Sequence, residues 1–560
     1  MTVPKELAGL DADGGNRTVL VTGRSAEVRG RAGRKRVLLA NCYFDDSHRR
    51  IRRPMKLPHA MGPVVLAGVF SPHQCDLRLY NEVASGPLEN AALLSWPDMV
   101  VLTGVTNAFD RMLHLAAYAR TKNPRVVIVA GGPAIRAMPR LARRFFDYVC
   151  LGDVEELGEV VAEAFGRPYV AEEMTPRYDL AYWLGDFGYA ETSRYCNFRC
   201  SFCALTGEGR RYQPYPLDDV RRQVRAMGKR KYLVLIDNNF YGNDRTSFLA
   251  RVAVIRELWQ AGHFGSWAAL VTNDFFAHDE HLSLLHDAGC LALFSGVESF
   301  DTRWLRSVNK TQNTVLPQVE LIQKCLTAGI MFLYGLILDP TTRHVADLRL
   351  ELEFITGTPE ITMPAFLTLA IPLLGTPFFH QCVLQRRFLP RTKLRDIDGT
   401  TIVLKPLDPL AEVVRLVSDV QSMRGYRFRV ARQAAGFLRR YGRILNATQL
   451  QAALGSAALM CVQNVATTGS PVAGLFRRRP RPRTYVTTTE PLDDVYVPAF
   501  RVASRYEEYF RPTMVTDDVG DLTETIAESG VLAPTGSPHT RLYPNFSSTH
   551  SQRRTLIWQP

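Results

Sequence analysis

Glu191-Thr-Ser-Arg-Tyr-Cys196-Asn-Phe-Arg-Cys200-Ser-Phe-Cys203 sets three thiols at offsets of four and three. A cubane [4Fe–4S] cluster needs thiolates converging on neighbouring iron corners, and a loop this short can wrap one face of it. Cys196, Cys200 and Cys203 would serve three irons and leave the fourth without a protein ligand. An open coordination position on a metal marks chemistry rather than scaffolding. A zinc loop or three buried thiols are the competing readings. Zinc sites favour four ligands in two pairs, and no second pair or Cys-His hook lies nearby in the sequence.

Outward from this loop, 560 residues are too many for one core, and about three domains are expected. A hydrophobic content of 46% with 22% charged residues excludes a mainly disordered chain. The 10 cysteines are scattered apart from the one cluster, which argues against a secreted disulfide framework. No run of 18 or more apolar residues and no apolar signal core occur, so a cytoplasmic protein without a transmembrane segment is expected. A net charge of +13 invites a nucleic-acid partner. Arginine outnumbers lysine throughout, however, and the one dense patch, Arg477-Arg478-Arg479-Pro-Arg481-Pro-Arg483, reads first as a solvated loop. No nucleic-acid partner is therefore expected.

Residues 1–33 mix Gly, Asp and Arg and read as a disordered leader. Apolar runs at Arg36–Ala40, Asp76–Tyr80, Met99–Leu102 and Val126–Val129, with a clear helix over Phe109–Arg120, give a parallel sheet with right-handed crossovers. In such sheets ligands sit at the carboxyl ends of strands. There Thr103-Gly104 and Gly131-Gly132-Pro133 place small residues where a large ligand could press against backbone, although tight turns would use them too.

After the cysteines, strands over Tyr232–Ile236, Trp267–Thr272, Leu291–Ser299 and Met331–Leu338 alternate with helices over Leu217–Lys229, Thr246–Ala261 and Thr314–Ala328. This is the alternation of a partial parallel barrel, with polar side chains at the strand ends. Residues 408–463 read as helical, and 464–560 as a Pro-, Thr- and Arg-rich region covering the barrel mouth.

The C-x3-C-x-aromatic-C spacing, with Phe202 before the last cysteine, resembles the signature of radical S-adenosylmethionine enzymes. The preceding order of a strand ending in Gly-Gly-Pro, then Phe146-Asp147 and Gly152-Asp-Val-Glu155-Glu156, resembles the cobalamin-dependent branch of that family over about residues 35–385. Two departures stand out. The branch commonly has Gly-Glu-x-Glu where this chain has Gly152-Asp-Val-Glu155, and a glycine where this chain has Tyr195.

The resemblance implies an α/β chain with a Rossmann-like cobalamin-binding domain (34–185) and a partial (β/α)6 TIM-type barrel (186–385). Beyond about residue 385 it thins, and periodicity and composition give a helical or irregular C-terminal region (386–560) that shapes a substrate pocket, with a loosely packed appendage as the alternative. The resemblance also implies a [4Fe–4S] cluster whose open iron chelates S-adenosylmethionine, reductive cleavage to a 5′-deoxyadenosyl radical, and methylcobalamin as methyl donor. Asp237 and Asn239, Asn273, Glu298 with Ser299, and Gly335 match strand ends that face S-adenosylmethionine in the family; Ser299 could equally cap the next helix. Thr103, Gly104, Gly131, Gly132 and Pro133 fall on the cobalamin side.

Asp237, Asn273, Asp274 and Tyr334 are candidates to position substrate, and no catalytic acid or base is assigned. Asp46-Ser-His48-Arg-Arg-Ile51 echoes the Asp-x-His-x-x-Gly loop of other cobalamin proteins without its glycine, so a surface histidine is the default for His48.

The implied reaction is methylation of an unactivated carbon, or of a phosphinate phosphorus, in a small molecule or peptide of secondary metabolism. A flavodoxin or ferredoxin would supply electrons. A non-methylating ring closure or rearrangement, and a non-catalytic electron-transfer protein, are the alternatives.

Overall fold

In the computed structural model, residues 33–43, 61–421, 425–462 and 496–515 are described, with four further strands at Leu7–Leu10, Asn16–Thr22, Ser25–Val28 and Arg541–Tyr543. His48 with its loop and the Arg477–Arg483 patch lie outside these residues.

The first sheet is built on β4 (Lys35–Cys42), which is apolar on both faces as a central parallel strand must be. Val37 and Leu39 pack on one face, with Val64 and Leu157, while Leu38 and Ala40 pack on the other, with Phe109 and Met112. β4 lies between β5 (Cys75–Asn81) and β6 (Met99–Gly104), and β7 (Val127–Gly131) and β8 (Tyr148–Cys150) follow in parallel register. The order β5-β4-β6-β7-β8 is doubly wound, and its reversal next to β4 opens a crevice at the carboxyl ends.

The expected leader is corrected in part. Leu7–Leu10, Asn16–Thr22 and Ser25–Val28 form antiparallel strands β1, β2 and β3, and β3 pairs with β5 at the sheet edge. The run Thr18-Val19-Leu20-Val21, in which Thr18, Val19 and Val21 are β-branched, explains this, and the surrounding Gly, Asp and Arg hid it.

The second sheet contains β9 (Phe187–Ala190), β12 (Arg230–Leu235), β13 (Phe264–Val271), β14 (Cys290–Glu298), β15 (Met331–Leu338) and β16 (Phe366–Leu369). All six are parallel and run in that order, which makes the partial barrel. Two short strands between β9 and β12, β10 (Ser193–Arg194) and β11 (Gln213–Pro214), pair antiparallel and close the base of the cysteine loop.

The helix read over Thr314–Ala328 begins only at Gln318, because Pro317 disfavours helical backbone in the residue before it. The helix read to Lys229 ends at Ala226, ahead of Gly228 at φ 71°.

The described parts of the C-terminal region pack on the barrel and on the first unit. Helices Leu410–Gln421, Arg427–Tyr441 and Ala447–Val462 form as read, but Gln449 Nε2 donates to the carbonyls of Leu291 and Gly329, at the amino ends of β14 and β15. They brace the bottom of the barrel, where residues serve stability rather than chemistry.

The described residues 496–515 pack on helix Phe109–Lys122 of the first unit. Phe510 stacks on His114 at 4.7 Å, and Tyr496 Oη donates to Asp110 at 2.7 Å. β17 (Arg541–Tyr543) extends the first sheet beside β8. Among the described residues no helix is long and apolar enough to cross a membrane.

Candidate active site between the two sheets

The cysteine loop is fixed by parts of the chain far from it. Ser201 N donates to Val308 O at 3.0 Å, Asn309 Nδ2 to Arg199 O at 2.7 Å, and Phe378 N to Ser201 O at 3.0 Å. The helix Ala204–Glu208 lies so close to the Leu374-Gly-Thr-Pro-Phe378 turn that a Cβ on Gly207 would sit 2.5 Å from Gly375 O.

Burial pushes the Cys196 thiol up to about 11 and raises Cys203, and Cys200 raises both of them. Deprotonation therefore needs a positive charge nearby, which bound iron would supply. Gln312 Nε2 donates to Cys200 Sγ at 3.4 Å, as an outer-shell donor to a metal thiolate would. Among the described residues no three His, Cys, Asp or Glu side chains close on a single ion. A lone tetrahedral zinc would draw its sulfurs to about 3.8 Å of one another, whereas a cluster spreads them over its corners.

Lys310 Nζ sits beside the thiols, 2.9 Å from Glu298 Oε1 and over the Phe202 ring at 5.6 Å. Burial works to lower the Lys310 pKa, but Glu298, Cys200 and Cys203 outweigh it and hold the ammonium above its ordinary value. Glu298 has φ 60° at a register shift between β14 and β15. Such irregularities re-aim a side chain, here toward Lys310. Gly335 borders this pair, and a Cβ there would lie in ordinary contact with Glu298 Oε2 at 3.8 Å.

The other strand-end residues divide into two groups. Asn239 Nδ2 donates to Asn197 Oδ1 at 2.7 Å, and Asn313 Nδ2 to Gly296 O at 2.6 Å. Asn239 Oδ1, Gln312 Oε1 and Asn313 Oδ1 are buried without a partner, and the ammonium and hydroxyls of S-adenosylmethionine would satisfy such acceptors.

Asp237 is instead consumed by Thr192 N at 3.0 Å, Thr192 Oγ1 at 2.9 Å and Ser193 Oγ, and it anchors the entry to the cysteine loop. Asn273 is held by Gln318 and Ser295. Asp274 is mostly buried, which raises its pKa. Ser299 is fully buried between Glu351 at 2.6 Å and Arg343 at 3.1 Å, and Asp301, not Ser299, caps the following helix. Tyr334 Oη donates to Thr362 O at 2.9 Å inside the core. The networks around Ser299 and Tyr334 are closed, which removes both as groups facing a ligand.

On the first sheet, Gly132 has φ 108°, and a Cβ there would meet Gly104 O at 3.0 Å and Thr103 Oγ1 at 3.3 Å. Gly104 packs on Cys42 and Ala108, a chain-packing role, and Pro133 opens the next helix. A cavity of about 320 Å³ lies at this edge, lined by Thr103, Gly131 and Gly132 on one side and Glu191, Tyr195 and Asn238 on the other. Gly131 and Gly132 bring bare backbone to the cavity, and a Cβ at either would face chain atoms, Cys150 at 3.5 Å and Gly104 O, so they serve close strand-end packing, while the cavity itself is what fits a ligand at the strand ends.

Sequence reasoning did not single out Glu191, Gln312 or the bridge between the units. In that bridge Arg136 pairs with Glu208 at 2.9 Å and Arg194 with Glu155 at 3.1 Å. Reciprocal charge between the Gly152–Glu156 loop and segment 194–210 was the available signal. Burial and Asp237 push the Glu191 carboxyl up to about 6.

Fold and site together define an iron–sulfur enzyme whose cysteine loop faces a ligand-binding sheet edge. The Radical SAM superfamily model matches residues 190–348 and the B12 binding domain model matches residues 56–162. An uncharacterized methyltransferase of Synechocystis sp. is 26% identical over 411 residues, covering 67% of this chain and 73% of its own length. A hopanoid C-2 methylase of Rhodopseudomonas palustris is 25% identical over 329 residues, 54% of this chain and 60% of that protein.

The structure of the cobalamin-dependent S-adenosylmethionine radical enzyme OxsB with aqua-cobalamin bound shares the fold. Its TM-score is 0.53 at 13% identity, covering 87% of this chain and 93% of that one. The chain belongs to the cobalamin-dependent radical S-adenosylmethionine enzymes. Its cofactors are accordingly a [4Fe–4S] cluster, S-adenosylmethionine and cobalamin.

Proposed function

We propose that this enzyme methylates an unactivated carbon, or a phosphinate phosphorus, of a small molecule or peptide. The observation that carries the reading is the cavity whose one wall is the glycine-lined sheet edge and whose other wall includes Tyr195, the neighbour of Cys196. A methyl carrier on that edge and a radical source on that loop would then address one substrate from two sides. The relatives named as a methyltransferase and a methylase support the same reading.

When bound, the cofactors supply the hard steps, hydrogen-atom removal and methyl donation. The chain's own residues bind and orient. Cys196, Cys200 and Cys203 hold the cluster, Gln312 donates to a ligating sulfur, and Lys310 with Glu298 sets the charge beside it. Asn239, Gln312 and Asn313 offer carbonyl oxygens to S-adenosylmethionine, while Thr103, Gly131 and Gly132 bear on the corrinoid. Residues 34–185 and 186–385 form the two working units, and the described helices within 410–462 and residues 496–515 brace them. An external flavodoxin- or ferredoxin-type protein supplies electrons.

Anaerobic turnover with methyl-deuterated S-adenosylmethionine and extracts of the metabolites made by neighbouring enzymes tests this. Deuterated methyl in a product is the expected result. Accumulation of 5′-deoxyadenosine and a changed but unlabelled product would favour ring closure or rearrangement instead.

A further inference from the structure

Tyr195 Oη donates to Asp153 Oδ2 across the boundary between the two units. Arg210 Nη1 joins them, 2.6 Å from Asp153 Oδ2 and 2.7 Å from Tyr195 Oη, with its guanidinium 5.5 Å from the tyrosine ring centroid. Tyr195 takes a left-handed backbone, φ 63°. A bulky residue persists there only when its surroundings over-determine it. The residue is 8% exposed, and both Tyr195 and Asp153 line the cavity.

We infer that Tyr195 is a positioning residue for the corrinoid: clamped by Asp153 and Arg210, its side chain forms the cluster-side wall of the cavity and covers the ligand there. The inference rests on the corrinoid reading of that cavity. The residue that hands the chain to the first iron ligand is therefore tied to the sheet edge that carries the corrinoid.

The test uses anaerobically reconstituted full-length protein and hydroxocobalamin, with affinity read by equilibrium dialysis and iron content and thermal midpoint measured alongside. Tyr195→Gly relaxes the left-handed backbone, so its midpoint should hold or rise while hydroxocobalamin binds at least tenfold more weakly. Tyr195→Phe and Asp153→Asn should each weaken binding three- to tenfold at unchanged iron content, and the double variant should be no weaker than about the worse single. A merely structural role would lower the midpoint and leave the affinity alone.

Wild type that binds, with Tyr195→Gly binding within twofold of it, overturns the role of Tyr195. Should Tyr195→Gly fail to accumulate, Tyr195→Phe and Asp153→Asn at wild-type affinity overturn it equally. Wild type that takes up no hydroxocobalamin fails the corrinoid reading itself, a result separable from the other two.

Discussion

At the scale of single residues, charge around the cysteine loop gives two measurable consequences. Lys310 lies close enough to Cys200 and Cys203 to be raised by both, so Lys310→Met removes a cation from beside the cluster. Reduction adds negative charge, and the reduction potential should fall by on the order of 50–100 mV in an electron-paramagnetic-resonance redox titration, with Glu298→Gln moving it upward. Glu191 titrates at about 6 in the fold against an ordinary 4.5. Its folded state holds the proton more tightly, so the protonated acid is fully tolerated below about pH 4.5 and stability is lost as pH rises through 6. Glu191→Gln should therefore stabilise by roughly 2 kcal/mol at pH 8 and by less than half of that at pH 5, followed as thermal midpoints. The three cysteines were legible because a metal dictates their spacing. Ser299 and Tyr334 were not, since a place at the end of β14 or within β15 does not tell whether a hydroxyl meets a ligand or, as here, Glu351 and Thr362 O.

Among elements, the tightest constraint joins the helix after the cysteines to the Leu374–Phe378 turn. Gly207→Val would drive a side chain into the Gly375 carbonyl, 2.5 Å from the position of the new Cβ. We expect a loss of about 1–3 kcal/mol in a urea titration and a matching fall in iron incorporated on reconstitution. The parallel strands β4 to β7 and β12 to β15 were readable as apolar runs between helical periods. The short strands β8, β9 and β16 gave no such signal, and at the sheet edge the run Thr18–Val21 is flanked by Gly, Asp and Arg. The start of helix Gln318–Thr327 was set by a local proline effect that apolar periodicity does not register.

For the molecule as a whole, one packed core runs from Val37 and Leu157 in the first unit through Leu233, Leu293 and Leu336 of the barrel to Phe437 and Tyr441. A second joins Phe109 and Met112 to Phe379, Val403 and Phe510. Neither sheet stands alone. Tyr496→Phe takes one donor from the buried Asp110, whose other oxygen is met by Thr513 N at 3.2 Å, and should cost about 1–3 kcal/mol. Limited proteolysis should then open the molecule at 496–515, with iron content unchanged because this strap lies on helix Phe109–Lys122, away from the cysteines. The sequence suggested a cover for the barrel mouth, since Pro- and Arg-rich composition marks a segment as irregular without saying which surface receives it. The distant anchors of the cysteine loop bear on biosynthesis. Arg199 and Ser201 receive their partners from Val308, Asn309 and Phe378, so the thiols acquire their final arrangement only after Phe378 has been made. At about 5–20 residues per second the ribosome leaves an interval of roughly 10–35 s in which three nascent thiols stand without their frame. Iron delivery must therefore follow release of the barrel, and a cell short of delivery proteins or exposed to oxidant during that interval would accumulate empty enzyme.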